Sequence, residues 1–300
     1  MKTKTYLFAL MTMALTLGSC SDNENGIGGE TSKYITVSTS IGNMTRVATD
    51  EKGGQTFEEG DEISVYAWTG DATVAPETRE RVVNNAINKL TNGSWISNPQ
   101  MLWKNNRDKH YFIGVYPISA ISDLSAGEYT FDETKQVESD LLVAVNKDGL
   151  SYNVDEQQTV PLTFTHVMAK LVVNLTYKNQ WGGIPTVEKV VVGNAAKEAT
   201  INYLTKVVTP STTAKEDFSL PEITENTKYV SVIIPQEEVT QLTIVIGGKN
   251  FVYDNGTPFK LESGKITTVN LEVGRDEIKL GDVKITNWED GSTFSGEALN

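Results

Sequence analysis

Hydrophobic and polar residues alternate with a period of two in short segments along most of the chain after Lys33. In residues 34–41, Ile35, Val37 and Ile41 fall on one face and the residues between them on the other. Successive side chains of a β-strand point to opposite faces, so this period predicts half-buried strands. The same pattern predicts strands at residues 63–68, 111–116, 141–145, 171–177, 187–192, 229–234, 242–246, 266–273 and 283–286.

Turn-forming pairs separate these segments. Gly-Gly, Asp-Gly or Asn-Gly pairs occur at residues 53–54, 148–149, 182–183, 247–248 and 255–256. Such pairs are typical of tight turns between strands. Helical periodicity is weak, and residues 80–90 alone predict a short helix. We therefore predict an all-β chain of antiparallel β-sandwiches.

The chain of 300 residues is long enough for two domains. Its sequence is polar between Asp148 and Gln158, and a new series of strands begins at Val160. We predict an N-terminal domain at 33–157 and a C-terminal domain at 158–300. The single cysteine permits no internal disulfide, so both domains must be stabilised by packed cores.

The first twenty residues have the pattern of a lipoprotein signal. Lys2 and Lys4 precede an apolar run at residues 6–17, which is followed by Gly18, Ser19 and Cys20. A membrane-spanning helix needs about 17–25 apolar residues, so this run predicts a signal peptide at 1–19 that is removed on export. The membrane anchor would be acyl chains on Cys20. Ordinary secretion with an unmodified Cys20 is the alternative.

Residues 20–32 are polar and rich in glycine, which predicts a tether between the lipid and the first domain. Residues 21–24 are acidic, like the short signals that send some lipoproteins to the outer face of the outer membrane. A solvated linker explains the same composition.

The charge and the scarcity of reactive side chains exclude several classes of function. The chain carries 39 acidic against 26 basic residues, with a formal net charge of −13, and it has no basic run that would hold nucleic acid. Two histidines and one cysteine leave little material for a zinc site or a nucleophilic triad. We therefore predict a protein that is not an enzyme and that binds no metal and no cofactor.

A few residues invite a more specific interpretation. The acidic residues at 58–62 lack the alternating spacing of a calcium loop, so a solvated turn is preferred. Trp95 and Trp181, which lie in turn-like sequence, are candidates for an exposed sugar-stacking surface, with core or rim packing as the alternative. His166, in an apolar strand, predicts a structural histidine, whereas His110, after a charged run, predicts a surface one.

Several short motifs are similar to those of a known family. They are residues 57–63 leading into a strand that ends at Trp68, Trp103 followed by 111–117, and residues 164–171, 234–236, 261–265 and 288–291. In their order and spacing the chain resembles the fimbrillins, the shell-forming lipoprotein pilins of the type V pili of Gram-negative anaerobes. The resemblance implies two tandem transthyretin-like β-sandwich domains and a structural or adhesive pilus subunit, located in the outer membrane as a lipoprotein, in the fimbrium, or in both.

The resemblance also implies a route of assembly. In the family, an Arg-specific protease removes the N-terminal segment with its first strand, and a segment of a neighbouring subunit fills the vacated groove. Here the cut would fall between Arg46 and Val47, and the removed strand would carry Ile35, Val37 and Ile41. The donor segment would include Val283, Ile285 and Phe294.

The proposed cleavage site and the proposed donor segment each have a simpler interpretation. Arg46 would otherwise be a solvated loop residue, and the last strand would otherwise complete its own domain. The partners implied are other pilus subunits, the outer membrane through the lipid, the protease, and a host or bacterial surface ligand. The competing function is a monomeric surface lipoprotein that binds glycan or a host ligand through exposed aromatics. An enzyme ranks third.

Overall fold

The computed structural model describes residues 33–42, 57–153, 155–156, 158–239, 241–253 and 258–288. Several predicted features lie outside the described residues: the signal peptide, the tether, Cys20, Arg46, Val47 and Phe294. Within the described residues, no helix has both the length and the apolar character needed to cross a membrane.

The described residues form β-strands connected by turns and two short 3-10 helices, Thr78–Glu80 and Asn179–Trp181. The prediction of an all-β fold is therefore confirmed. In chain order the strands are β1 Thr36–Ile41, β2 Glu62–Thr69, β3 Arg81–Thr91, β4 Ser94–Asn98, β5 His110–Tyr116, β6 Gly127–Thr130, β7 Leu142–Leu150, β8 Thr159–His166, β9 Ala169–Tyr177, β10 Val187–Ala196, β11 Glu198–Asn202, β12 Val207–Pro210, β13 Lys215–Ser219, β14 Glu222–Thr224, β15 Lys228–Ile233, β16 Gln236–Val239, β17 Leu242–Ile246, β18 Lys249–Tyr253, β19 Phe259–Leu261, β20 Lys265–Val273 and β21 Ile278–Asn287.

A seven-stranded sheet, in the order β1-β8-β7-β5-β2-β3-β4, forms the N-terminal part of the fold. The later strands form a five-stranded sheet (β14-β15-β9-β20-β21) and a four-stranded sheet (β13-β10-β17-β18). The small sheets β12-β11-β6 and β16-β19 complete the described fold. Strand β8 begins directly after the predicted domain boundary and lies in the first sheet, so the division at 157/158 stays a prediction.

The seven-stranded sheet is buried on both faces at its centre. Along β2, Ile63 and Val65 belong to an apolar cluster that we call the N-terminal core, which also contains Phe164. Tyr66 and Trp68, on the opposite face of β2, belong to a second cluster that extends through the later sheets and that we call the C-terminal core. Burial on both faces explains why the β2 sequence is nearly continuously apolar.

The helix predicted at residues 80–90 is wrong, because this segment is strand β3. Its register with β2 shifts between Val83 and Ala86, and Asn85 between them has a φ of 56°. A β-bulge of this kind inserts an extra residue and changes the phase of the alternation. The apolar residues then recur every three or four positions, which imitates a helix.

The predicted turns have different outcomes. Gly247 and Gly248, with φ values of 58° and 73°, join β17 to β18 in a tight hairpin. Such a turn needs positive φ at both central residues, which glycine adopts without strain. Asp148 and Gly149 instead lie within β7 and separate no strands.

Candidate functional site

Strand β1 lies at one edge of the seven-stranded sheet and pairs in parallel with β8. The pairing extends from Thr36 opposite Thr159 to Ile41 opposite Phe164. The two strands are more than one hundred residues apart in sequence, so the place of β1 in the sheet depends on a segment far along the chain. An edge strand of this kind can be replaced by another extended segment.

The apolar side chains of β1 and of the residue before it enter the N-terminal core. Ile35 is 2% exposed and Val37 is 6% exposed, while Ile41 packs against the same core from a half-buried position. The alternate residues face outwards, and the Ser40 hydroxyl lies 3.1 Å from the Thr163 hydroxyl of β8. The side chains of β1 therefore occupy pockets of the core, and its backbone extends the sheet.

Contacts on the other side of β1 reach the opposite edge of the same sheet. The Ile35 amide donates to the Met101 carbonyl at 2.9 Å, and the Trp103 amide donates to the Lys33 carbonyl at 3.3 Å. The Trp95 indole of β4 donates to the Thr39 hydroxyl at 2.9 Å. Strand β1 thus bridges the two margins of the sheet, and a groove of about 780 Å³ runs between β1 and β4.

The proposed donor residues lie in the last described strand. Strand β21 pairs with β20 in antiparallel orientation, at the edge of the five-stranded sheet. Val283 is 36% exposed and Ile285 is 39% exposed, so neither is deeply buried in its own subunit. In this structure β21 completes its own sheet, and its role as a donor stays a prediction.

A buried polar cluster holds the end of β21. The His166 Nδ1 atom lies 2.7 Å from the Asp140 carboxylate, which confirms His166 as a hydrogen-bonded structural histidine. The Trp288 ring stacks on the imidazole with 4.1 Å between centroids, and the Lys170 ammonium lies 5.3 Å from the Trp288 ring centroid. Burial lowers the pKa of Lys170, while the Asp140 carboxylate opposes this effect. The sequence did not indicate that Trp288 contacts His166, because a contact between such distant residues leaves no local pattern.

The prediction of a surface position for His110 is wrong, because the residue is fully buried. Its Nε2 atom accepts a hydrogen bond from the Lys104 amide at 3.0 Å, and its Nδ1 atom lies 3.1 Å from the Asp108 carbonyl. These two partners fit a neutral imidazole with its proton on Nδ1. Burial lowers the pKa of His110, against the opposing effect of the Asp108 carbonyl.

The tryptophans are packed and do not form a common surface. Trp68, Trp103 and Trp288 are buried. Trp95 is half-buried and meets Phe57 edge-on, and half-buried Trp181 donates from its indole to the Val273 carbonyl at 2.9 Å. The two predicted candidates for a sugar-stacking surface therefore have packed rings, with Phe57 against Trp95 and Phe251 against Trp181.

The acidic residues Glu58, Glu59 and Asp61 lie in the turn before β2, and Glu62 is the first residue of that strand. The Glu58 amide donates to the Asp61 carboxylate at 2.7 Å, and Lys89 pairs with Glu62 at 3.2 Å. Within the part of the chain that the structure describes, no group of three or more His, Cys, Asp or Glu side chains could hold a metal ion.

The fold is shared with proteins of Bacteroides. A proposed cell adhesion protein from Bacteroides ovatus has a TM-score of 0.64 at 16% identity, covering 85% of this chain and 98% of that one. One from Bacteroides uniformis has a TM-score of 0.59 at 18% identity, with coverage of 85% and 98%. A fimbrial protein from Bacteroides vulgatus has a TM-score of 0.53 at 12% identity, with coverage of 86% and 100%. At these identities the likeness defines the fold class alone.

A comparison of the sequence with family models assigns the chain to one family within this fold class. The family model described as "Fimbrillin-like" matches residues 45–288, and the chain belongs to this family. The resemblance to fimbrillins inferred from the short motifs is thereby confirmed. No curated protein matches the chain.

Proposed function

We propose that the protein is a structural and adhesive subunit of a cell-surface pilus, assembled by exchange of a β-strand between subunits. The observation that carries this proposal is the placement of β1. Among the described strands, β8 is the one that pairs with β1 in the sheet, and Ile35 and Val37 at the start of this segment fill pockets in the N-terminal core. Fimbrial and adhesion proteins of the same fold are consistent with a role at the cell surface.

Removal of β1 would create a binding site for an extended segment. It would leave the outer edge of β8 unpaired and would expose the apolar positions that Ile35 and Val37 cover. A replacement strand would regain about 1.5–3 kcal/mol for each buried side chain and about 0.5–1.5 kcal/mol for each ladder hydrogen bond. The replacement would come from another subunit, and the segment with Val283, Ile285 and Phe294 is the candidate donor.

Processing would convert the exported form into an assembling one. We propose that the precursor carries lipid on Cys20 in the outer membrane, and that an Arg-specific protease cuts between Arg46 and Val47. One cut would release the lipid, the tether and β1 together, because all of them precede Arg46. The tandem transthyretin-like domains implied by the resemblance belong to the same proposal.

Protease treatment of the purified precursor tests this function. Digestion with an Arg-specific protease should give a product that begins at Val47 and forms filaments visible by electron microscopy. The Arg46→Lys precursor, which keeps the charge but not the cleavage site, should stay uncut there and monomeric. A wild-type product that lacks β1 and yet remains a monomer would contradict the proposal, and diffuse surface label with glycan binding would favour the alternative.

A further inference from the structure

The described end of the chain is held by one deeply buried side chain. Most residues of β21 are exposed, and its apolar members are exposed or half-buried. Trp288, directly after the strand, is 1% exposed, and its amide donates to the Gly264 carbonyl at 3.2 Å. The attachment of the C-terminal segment therefore depends on the β20–β21 ladder and on the site that receives this indole.

That site, which we call the Trp288 seat, consists of His166, Asp140 and Lys170. His166 is the last residue of β8, and its ring lies nearly parallel to the indole, at 8°. Asp140 fixes the imidazole through the 2.7 Å contact at Nδ1. Lys170, near the start of β9, lies over the indole with its ammonium group. The seat is thus built at the connection between β8 and β9.

The seat is well packed but leaves two polar atoms unsatisfied. His166 Nε2 and Trp288 Nε1 are both buried and have no hydrogen-bond partner among the described residues. Buried polar groups without partners are unfavourable, and both nitrogens would gain water if the indole left. Stacking therefore holds Trp288 in place, while the unmet hydrogen bonds lower the cost of its release.

The same strand end also supports β1. The Gly42 amide, directly after β1, donates to the Phe164 carbonyl at 2.8 Å, and Ile41 pairs with Phe164. Phe164 precedes His166 by two residues in β8. Loss of β1 would remove this support and expose the edge of β8 beside the seat.

We propose that Trp288 is a latch that keeps the C-terminal segment on its own subunit until β1 has left. This inference rests on the proposed function, since it assumes that β1 is removed and that the C-terminal segment then serves as a donor. Through thermodynamic linkage the effect is reciprocal, so that loosening the seat also weakens the hold on β1. The order of events would prevent subunits from exchanging strands before processing.

Hydrogen exchange, followed by mass spectrometry on peptides from β21 and from β17, tests the latch. In the wild-type precursor β21 should be protected, and trimming should accelerate its exchange at least about tenfold. Exchange in β17, which lies in a different sheet, should stay within about twofold and serves as the internal reference. Trp288→Ala should accelerate β21 exchange before trimming, with β17 showing that the fold persists.

Two further variants separate the latch from general packing. Trp288→Phe keeps an aromatic ring and removes the unpartnered N–H, so β21 should be protected at least as well as in wild type. Tyr111→Phe, a change in β5 at the centre of the seven-stranded sheet, should leave β21 unaffected. Failure to release β1 after the cut would contradict the proposed function itself. If β1 is released and β21 exchange stays unchanged, the latch alone is refuted.

Discussion

Truncating Ile35 to alanine should weaken the attachment of β1 far more than truncating an outward-facing neighbour. Ile35 is 2% exposed and lies in the N-terminal core. Replacing a buried isoleucine by alanine costs about 2–5 kcal/mol. Because Ile35 lies at the start of the segment rather than at its centre, we expect about 2–3 kcal/mol. At 1.4 kcal/mol per tenfold change, the dissociation constant should rise about 30- to 150-fold.

The assay uses fluorescently labelled peptides of residues 33–42 and the trimmed subunit, with binding followed by anisotropy. The Ser38→Ala peptide is the matched control, because Ser38 is exposed in the same strand and its truncation should change the binding free energy by no more than about 0.5 kcal/mol. If the Ile35→Ala and Ser38→Ala peptides bind equally well, the core pockets do not hold β1, and the energetic argument for strand exchange is refuted.

Two further predictions concern the stability of the precursor. Gly114→Ala should lower the unfolding free energy by about 1–3 kcal/mol through overpacking, because the added Cβ would lie 2.6 Å from Phe164 Cζ. Denaturant unfolding measures this change. Gly42→Ala is the control and should lower the unfolding free energy less, because its added Cβ would meet nothing closer than 3.5 Å. His110 should make stability depend on pH, because burial lowers its folded pKa below the unfolded value of about 6.5. The unfolded state then binds more protons, so the His110 contribution is complete above about pH 6.5 and is lost as the pH falls through the folded pKa, by up to about 1.4 kcal/mol per pH unit. His110→Gln should show a shallower decline between pH 7.5 and pH 5 in urea unfolding, and an unchanged slope would contradict the assigned neutral state.

Local alternation was sufficient to predict many of the strands, including the one that carries Ile35 and Val37. It could not predict that this strand pairs in parallel with β8, because pairing between distant segments leaves no local periodicity. The helix predicted for β3 failed for a local reason, since the bulge at Asn85 gives the strand an apolar spacing like that of a helix.

The candidate site was predicted less completely than the fold. The two histidines show why, because the packing around each ring leaves no signal in the hydrophobic pattern of the sequence. His110 follows a charged run, yet its ring meets Trp103 edge-on with 5.0 Å between centroids. His166 was expected to be structural, but neither its partner Asp140 nor the Trp288 stack could be inferred from spacing. Side-chain packing of this kind, between near residues for His110 and between distant ones for His166, requires the fold to be known.

The burial of β2 on both faces has a mechanical consequence for the whole molecule. Ile63 and Tyr66 lie in the same strand but belong to different cores, so the central sheet is shared by both cores. If either core unfolded, water would reach the apolar face of the sheet on that side and destabilise the other core. The two halves should therefore yield to heat or to tension as one cooperative body rather than one after the other.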